Sequence, residues 1–521
     1  METRVLKELT LLAGIQGRRV FSLVILLVAT IWPAIYNSGP FYYYDTVPYI
    51  RRADAAVNRL TGLQTSWTRQ ENLNSSKAAP FDTESAAGHR STQPPQGSKP
   101  APKGGVLYLG RSIYYGLLLY LGTADQYFWL SILLQGAAVI SALWLLLRLQ
   151  NIPVWPAIFL VGLPLCFVSD VSFFVSFLMP DLFAGIAILV CAALFAAELP
   201  VRALEAVAAW FLLSASLLFH DSIPVIVTLM AVSYFGWKAA QWSRISWRKE
   251  RVILGILLVA FLTSAAGRSV YVRVAEHATG LKPIRLPFLS AHLIEGPGSI
   301  YLHSTCPGSG FALCAFVDQF PENSDVFLWS QHGGFTATYV SPETREKMSE
   351  QDLKFALTVF RDSPTRFFGF FSQEILHEIV NLQLSDFLYD PDSKKHFDFY
   401  LPSRPLAVVQ QSPAYTGSIP IDAFALLNYV FVGAALVFLA WRLALRRRTS
   451  NGRAEKWKLT AWLILGVLFN AMICGAISGP LSRYMSRAVW LLPLAALLFV
   501  ADNVAKRMNA RKGNIAVETA A

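Results

Sequence analysis

The sequence predicts an all-α membrane protein: a polytopic bundle of about ten transmembrane helices with two extracytoplasmic regions. Of its 521 residues, 54% are hydrophobic and only 15% are charged, whereas soluble domains carry about 25% charged residues. The mean hydropathy is +0.42. The apolar residues are gathered into runs approaching the roughly 20 residues that a helix needs to cross a hydrocarbon core. These observations favour a helical membrane body over several soluble domains.

The first apolar run, residues 19–36, is longer than the apolar region of a cleavable signal peptide, so we interpret it as a transmembrane helix. A run at 107–122 is interpreted as a surface or re-entrant helix, because a span there would place the later basic loops opposite the N-terminus. The other predicted spans are 126–148, 153–170, 181–198, 203–219, 222–238, 252–270, 421–443, 459–479 and 486–503.

Lysine and arginine residues predict the orientation of these spans. Basic residues cluster in the N-terminal segment, in the loop from Lys238 to Arg251, around Arg446 and in the tail after residue 505. With ten spans, all four segments fall on one side, which the positive-inside rule assigns to the cytoplasm. We therefore expect a multi-pass protein of the inner (plasma) membrane, with both termini cytoplasmic and an active face that is periplasmic or extracellular. The basic clusters are expected to contact membrane lipid rather than nucleic acid.

The predicted organisation has six parts. They are a cytoplasmic N-terminus with the first helix (1–36), a first extracytoplasmic loop (37–125), helices two to seven (126–270), an extracytoplasmic domain (271–420), helices eight to ten (421–505) and a cytoplasmic tail (506–521).

Both outer regions carry further signals. Residues 74–105 are rich in Ser, Pro, Gly and Ala and are expected to form a flexible insert. Residues 351–383 have a helical pattern with a break at Ser363–Pro364. Cys306 and Cys314 have a spacing that allows a disulfide outside the cytoplasm, although the sequence leaves the bond open.

Ionisable side chains recur at the outer ends of the predicted spans. Each one alone is explained by a helix ending in the headgroup region, but charged groups at membrane depth are costly and tend to be functional. Several acids, a histidine and two arginines on one side exceed what helix termination requires. The group comprises Asp45, Asp170, Asp181, His220, Asp221, Arg483 and Arg487.

Four segments, in order, resemble the type C glycosyltransferases, the multi-spanning enzymes that take a sugar from a polyprenyl-phosphate donor. The resemblance is to the branch with the protein O-mannosyltransferases and the lipid A aminoarabinose transferase. The matching segments are Tyr42-Tyr43-Tyr44-Asp45 after the first span, GRSIYYGLLLYL at 110–121, MPDLFAGIAILVCAAL at 179–194 and SRYMSRAVWLLPLAALL at 482–498. The sequence departs from the family where Thr46 replaces a second acid, which leaves the donor headgroup and metal dependence open.

The resemblance implies a catalytic or binding role for each of several residues. Asp45 is the expected general base for an attacking acceptor hydroxyl, and Asp181 would orient the acceptor or help to bind a cation. Arg483, Arg487 and Arg111 are expected to bind the donor phosphate.

Two further sets of residues have roles that remain open. His220 and Asp221 could hold a divalent cation, the one cofactor that the sequence suggests, or could merely end a helix. Several tyrosines could stack on sugar rings or form an interfacial aromatic belt: Tyr43, Tyr44, Tyr114, Tyr115 and Tyr484.

The expected partners are a polyprenyl-phosphate-linked sugar and a glycan, lipid or protein acceptor. One alternative is a transporter or flippase of a lipid-linked or anionic substrate, which would favour charges near the bilayer midplane and repeated, broken helices. Another is a non-catalytic component of an envelope-polysaccharide assembly complex, in which Asp45 and Asp181 would be dispensable.

Overall fold

The computed structural model describes residues 20–74, 107–124, 126–241, 247–321, 323–328, 335–336, 340–446 and 454–518. Within these ranges the chain is mostly helical. The helices of the first half are α1 Val20–Thr30, α2 Trp32–Tyr36, α3 Thr46–Thr61, α4 Ser66–Asn74, α5 Ile113–Leu121, α6 Trp129–Leu149, α7 Val154–Val168, α8 Val171–Val175, α9 Leu182–Phe195, α10 Ala203–Phe219, α11 Ile223–Ala239 and α12 Trp247–Thr279.

The second half contains the domain that the sequence predicts to be extracytoplasmic (271–420), here termed the outer domain, and the last apolar helices. Its α-helices are α13 Phe288–Leu293, α14 Pro297–Thr305, α15 Ser324–Leu328, α16 Pro342–Asp362, α17 Pro364–Val380, α18 Pro391–Tyr400, α19 Ser403–Gln411, α20 Pro413–Thr416, α21 Ile421–Arg446, α22 Ala454–Ile477, α23 Ser482–Val489 and α24 Leu491–Glu518. Short 3₁₀ helices occupy Ala312–Gln319 and Ser385–Phe387.

Five helices in the described ranges are long and apolar enough to cross a membrane: α6, α12, α21, α22 and the stretch Ser482–Val504, which joins α23 to the start of α24. The shorter apolar helices α1, α7, α9, α10 and α11 coincide with the other predicted spans. The structure therefore agrees with an all-α membrane protein, while the number of spans remains a prediction.

Helix α9 forms the centre of the membrane body. All of its 14 residues are buried, as expected for a helix that is apolar on every side. The backbone N–H of Glu198, just after α9, donates to the carbonyl of Leu149 at the end of α6, so the two helices end at one level. Helix α6 has 21 residues and α9 has 14. At 1.5 Å per residue, α9 begins about 10 Å short of the far end of α6, which leaves room above its N-terminus.

The outer domain has a core of its own, built around Phe327, Phe355 and neighbouring apolar residues. Helices α16 and α17 meet at Ser363, where the predicted break lies, because Pro364 starts a new helix. Cys306 and Cys314 form a disulfide with a Cα–Cα distance of 5.4 Å, the bond that their spacing allows.

The first outer loop departs from the sequence expectation in two ways. Its start folds into helices α3 and α4, which the sequence pattern does not predict, and Leu107–Tyr108 pairs in parallel with Pro283–Ile284 as a two-stranded sheet. The predicted surface helix at 107–122 is the nine-residue helix α5, too short to span a bilayer. The predicted flexible insert at 74–105 lies outside the described residues except for Asn74, which ends α4.

Candidate active site

Two loops that are far apart in sequence run side by side above α9. The N–H of Phe41 donates to the carbonyl of Ser176, and the N–H of Leu178 donates to the carbonyl of Phe41. This pairing brings together the starts of α3 and α9, where Asp45 and Asp181 are the residues just before each helix. A helix N-terminus favours a negative charge, and both carboxylates lie at such a position.

A cavity of about 270 Å³ opens at this junction. Its walls come from the first outer loop, the starts of α9 and α11, the outer half of α12 and the connection from α22 to α23, with Phe288 and α15 of the outer domain. The cavity is lined by charged groups of both signs: Asp45, Asp181, Asp221, Asp325, Arg111, Arg268, Arg285 and Arg483. One wall is apolar and includes Val225, Val272, Ile473, Ile477 and Leu481.

Asp45 is paired with Arg111 at the cavity wall. The guanidinium of Arg111 donates from Nη2 to Oδ1 of Asp45, and the Arg111 and Asp45 side chains are 11% and 12% exposed. Because neither side chain is sealed from the cavity, the pair is accessible to a molecule bound there. Arg111 itself is held by the first outer loop, where Arg52 donates to its carbonyl oxygen at 2.9 Å.

Asp181 lies at the cavity floor and is paired with Arg487. Nη1 of Arg487 donates to Oδ1 of Asp181 at 3.2 Å, while Oδ2 of Asp181 is buried without a hydrogen-bond partner in the described residues. The other hydrogen bonds of the Arg487 guanidinium are with Asn470, Ser222 and Cys474, and the guanidinium also lies 5.2 Å from the ring centre of Tyr484. Arg487 is fully buried and does not line the cavity. As placed, it holds Asp181 in position and offers no surface to a donor phosphate.

Arg483 also lines the cavity, and its guanidinium lies between two aromatic rings. Its guanidinium carbon lies 4.1 Å from the ring centre of Tyr43 and 5.1 Å from that of Tyr484, distances typical of cation–π contacts. Nη1 of Arg483 lies 3.5 Å from Oδ2 of Asp386, beyond a good hydrogen bond. Nε and Nη1 have no hydrogen-bond partner in the described residues. Arg483 is thus oriented by the aromatic faces and by Asp386, and it lines the cavity.

The start of α23, which carries Arg483, is held by the outer domain. A carboxylate oxygen of Glu378 on α17 accepts the N–H of Leu481 at 3.1 Å, and the hydroxyls of Ser385 and Ser482 lie 2.9 Å apart. Burial raises the pKa of Asp386, and the nearby Arg483 opposes that effect. The outer domain therefore contributes to the site.

His220 and Asp221 lie at the cavity edge but face different partners. Nδ1 of His220 accepts the N–H of Ser222 at 3.2 Å, so the neutral ring carries its proton on Nε2. Burial and the nearby Arg487 lower the pKa of His220 to about 4, which keeps the ring neutral near pH 7. Asp221 is paired with Arg268.

The divalent cation that the sequence leaves open for His220 and Asp221 gains no support from this arrangement. Nδ1 of His220 accepts a hydrogen bond, Nε2 carries the proton, and the Asp221 carboxylate faces an arginine. Among the described residues, no group of three or more His, Cys, Asp or Glu could hold a metal ion.

Of the five tyrosines expected at the site, three line the cavity and two are buried away from it. Tyr43, Tyr114 and Tyr484 line the cavity. Tyr44 is buried and donates to Asp390 at 3.2 Å, and Tyr115 is fully buried and donates to Gln135 at 3.0 Å. These last two are packing residues in this structure.

Several cavity residues are not identified by the sequence pattern. Arg268 could have been identified from the sequence, since it is a charged residue inside the apolar run 252–270. Three other lining residues could not have been identified, because nothing in the composition of their segments distinguishes them: Arg285, Tyr49 and Tyr271.

The chain was compared with protein-family models, curated proteins and solved structures, and nothing among them matches it.

Proposed function

We propose that this protein is an integral membrane glycosyltransferase. It moves a sugar from a polyprenyl-phosphate-linked donor to an acceptor at the outer face of the inner (plasma) membrane. The observation that carries the proposal is the cavity that Asp45, Asp181 and Arg483 line together. A base and a phosphate-binding cation on the wall of one cavity are the groups that this reaction needs.

The chemistry assigns a step to each group. The acceptor hydroxyl attacks the anomeric carbon and passes its proton to Asp45, whose carboxylate the neighbouring Arg111 orients. The bond between the anomeric carbon and the phosphate oxygen breaks, and its electron pair leaves with the polyprenyl phosphate. The guanidinium of Arg483, which lines the cavity, then stabilises the negative charge of the leaving phosphate.

The substrate-binding surfaces follow from the same cavity. The carboxylate of Asp181 belongs to the cavity lining, and Nε2–H of His220 in the same lining can donate a hydrogen bond to a sugar or acceptor hydroxyl. The apolar wall of Val225, Val272 and Ile473 suits the start of a polyprenyl chain. The cavity of about 270 Å³ approaches the lower end of small-molecule sites, roughly 300–1,000 Å³, as expected for a single sugar with its chain outside.

The depth of the cavity also supports a lipid-linked donor. Its floor is the N-terminus of α9, about 10 Å short of the outer end of α6. A polyprenyl phosphate in the outer leaflet has its headgroup at the outer boundary, from which its sugar would extend toward this floor. The charges lie toward the outer end of the helices rather than at their middle, which favours an enzyme over a transporter.

The test is the Asp45→Asn variant in membranes supplied with polyprenyl phosphate that carries a radiolabelled hexose or pentose. Loss of a general base is expected to lower sugar transfer by about 10²- to 10⁴-fold at unchanged protein level. Asp318→Asn is the matched control, because the Asp318 side chain is 86% exposed in the outer domain. Transfer by Asp45→Asn at the rate of the unaltered chain would refute Asp45 as the base, and no transfer by the unaltered chain with any donor would refute the function.

A further inference from the structure

Helix α17 of the outer domain exposes apolar side chains that its own domain does not cover. Phe368, Leu376 and Val380 are 61%, 62% and 64% exposed. Leu376 and Val380 are one helical turn apart, and Phe368 lies two turns before Leu376. The polar residues Gln373 and His377 lie on an adjoining edge. The sequence predicts this helix to lie outside the membrane, where such an exposed apolar edge would be unfavourable.

The opposite face of α17 packs along the membrane helix α22. An ideal Cβ on Gly475 would lie 3.0 Å from Cα of Ile375, so the absence of a side chain there allows the backbones to approach closely. Phe371 belongs to the core of the outer domain, whereas Ile379, two turns later, packs against the core of the membrane body. Helix α17 therefore passes from the outer domain into the membrane body.

The depth of its C-terminal end follows from Tyr429 of α21. The Tyr429 hydroxyl donates to the carbonyl of Val380 at 2.8 Å and accepts the N–H of Leu382 at 2.9 Å. Tyr429 precedes Arg446, the last residue of α21, by about 26 Å of helix. The hydrocarbon core is about 30 Å thick. If the basic end of α21 marks the inner boundary, Val380 lies just inside the outer boundary.

The backbone and Glu378 of this half of α17 are compatible with that depth, and the exposed Gln373 and His377 lie about 10 Å and about 4.5 Å nearer the outer side than Val380 along the helix. Hydrogen bonds within the helix pair its backbone N–H and C=O groups, as a hydrocarbon environment requires. The Tyr429 hydroxyl bonds to the carbonyl of Val380 and to the N–H of Leu382. Glu378 is fully buried on the protein side, where it accepts the N–H of Leu481.

We propose that the C-terminal part of α17 is re-entrant and that its apolar edge, formed by Leu376 and Val380, binds the acyl chains of outer-leaflet lipids. The occupant is lipid because the edge is continuous with the exposed apolar surface of α21, on which Leu426 and Val430 are 63% and 54% exposed. A short segment after Val380 leads to Asp386 beside Arg483. The outer domain is thus anchored in the leaflet next to the candidate site. This inference does not depend on the proposed function.

The test uses spin labels on the full chain in vesicles of phosphatidylethanolamine and phosphatidylglycerol. Val380→Cys and Leu376→Cys are labelled and exposed to oxygen, which concentrates in hydrocarbon, and to a water-soluble nickel complex. Leu426→Cys is the lipid-facing reference and Asp318→Cys the aqueous one. The unaltered chain serves as the blank, because Cys166, Cys191 and Cys474 are buried and Cys306 is bonded to Cys314.

At positions 376 and 380, the ratio of oxygen to nickel accessibility should match that at position 426 and exceed that at position 318 several-fold. Ratios equal to that at position 318 would place the edge in water and overturn the proposal. If the Val380→Cys chain does not accumulate, Leu376→Cys alone decides, since its side chain lies on the same edge.

Discussion

At the scale of single residues, the two arginines of α23 have different surroundings although they are one turn apart. Arg487 is fully buried and bonded to Asp181, Asn470, Ser222 and Cys474. Arg483 is held by aromatic faces and keeps donors unpaired in the described residues. An arginine surrounded by partners away from the cavity is structural, whereas an arginine that lines the cavity is suited to binding an anion.

The residue-scale prediction concerns Arg483. Arg483→Ala should weaken binding of a polyprenyl-phosphate sugar about 10- to 100-fold, because a hydrogen bond to a charged group contributes about 1.5–3 kcal/mol. Arg483→Lys should recover only part of the affinity, since an ammonium keeps the charge and lacks the planar fork. Binding is measured with radiolabelled donor on detergent-solubilised protein.

The matched control is Arg361→Ala, an exposed arginine on α16. Donor affinity that is the same in Arg483→Ala and in the control would remove Arg483 from the donor site.

At the scale of helices, close packing around α9 sets the position of the site. An ideal Cβ on Gly185 would lie 2.6 Å from Nε1 of Trp490 and 2.8 Å from the carbonyl oxygen of Arg487. Small residues are common where membrane helices touch, because they allow the backbones to come close. The glycine therefore lets the end of α23 approach α9, and this approach aligns Arg487 with Asp181.

The element-scale prediction compares two glycines. Gly185→Ala should destabilise the protein by about 1–3 kcal/mol through overpacking and should displace Asp181. Gly236→Ala on α11 meets open space and should be neutral or slightly stabilising, by up to about 1 kcal/mol. The thermal unfolding midpoint in detergent measures both, and equal midpoints would contradict the packing argument.

At the scale of the whole molecule, the outer domain and the membrane body meet at the site. The outer domain contributes Phe288 and α15 to the cavity, and its Glu378 holds the loop before Arg483. His292, fully buried in the outer domain, has Nε2 3.1 Å from the carbonyl oxygen of Gly475 in α22. These contacts make the outer domain part of the proposed enzyme rather than an appendage.

The whole-molecule prediction concerns sidedness. If the domain containing Cys306 and Cys314 faces an oxidising compartment, a membrane-impermeant maleimide should label intact cells only after an impermeant reductant has opened the bond. The double variant Cys306→Ser and Cys314→Ser should remain unlabelled, because the other cysteines are buried. Labelling that requires permeabilised cells would place this domain on the cytoplasmic side.

Residue order alone is enough to derive the helical membrane class, the approximate positions of most apolar helices and the break at Ser363, because hydrophobic runs and prolines act locally. It also points to Asp45, Asp181 and Arg483 as candidate site residues. Tertiary packing was needed to show that these three line one cavity and that Arg487, Tyr44 and Tyr115 do not. Asp181 and Arg487, for example, are 306 residues apart along the chain. Which side chain is paired and which is left open depends on how α9, α22 and α23 pack, and such long-range contacts leave no local signal in the sequence.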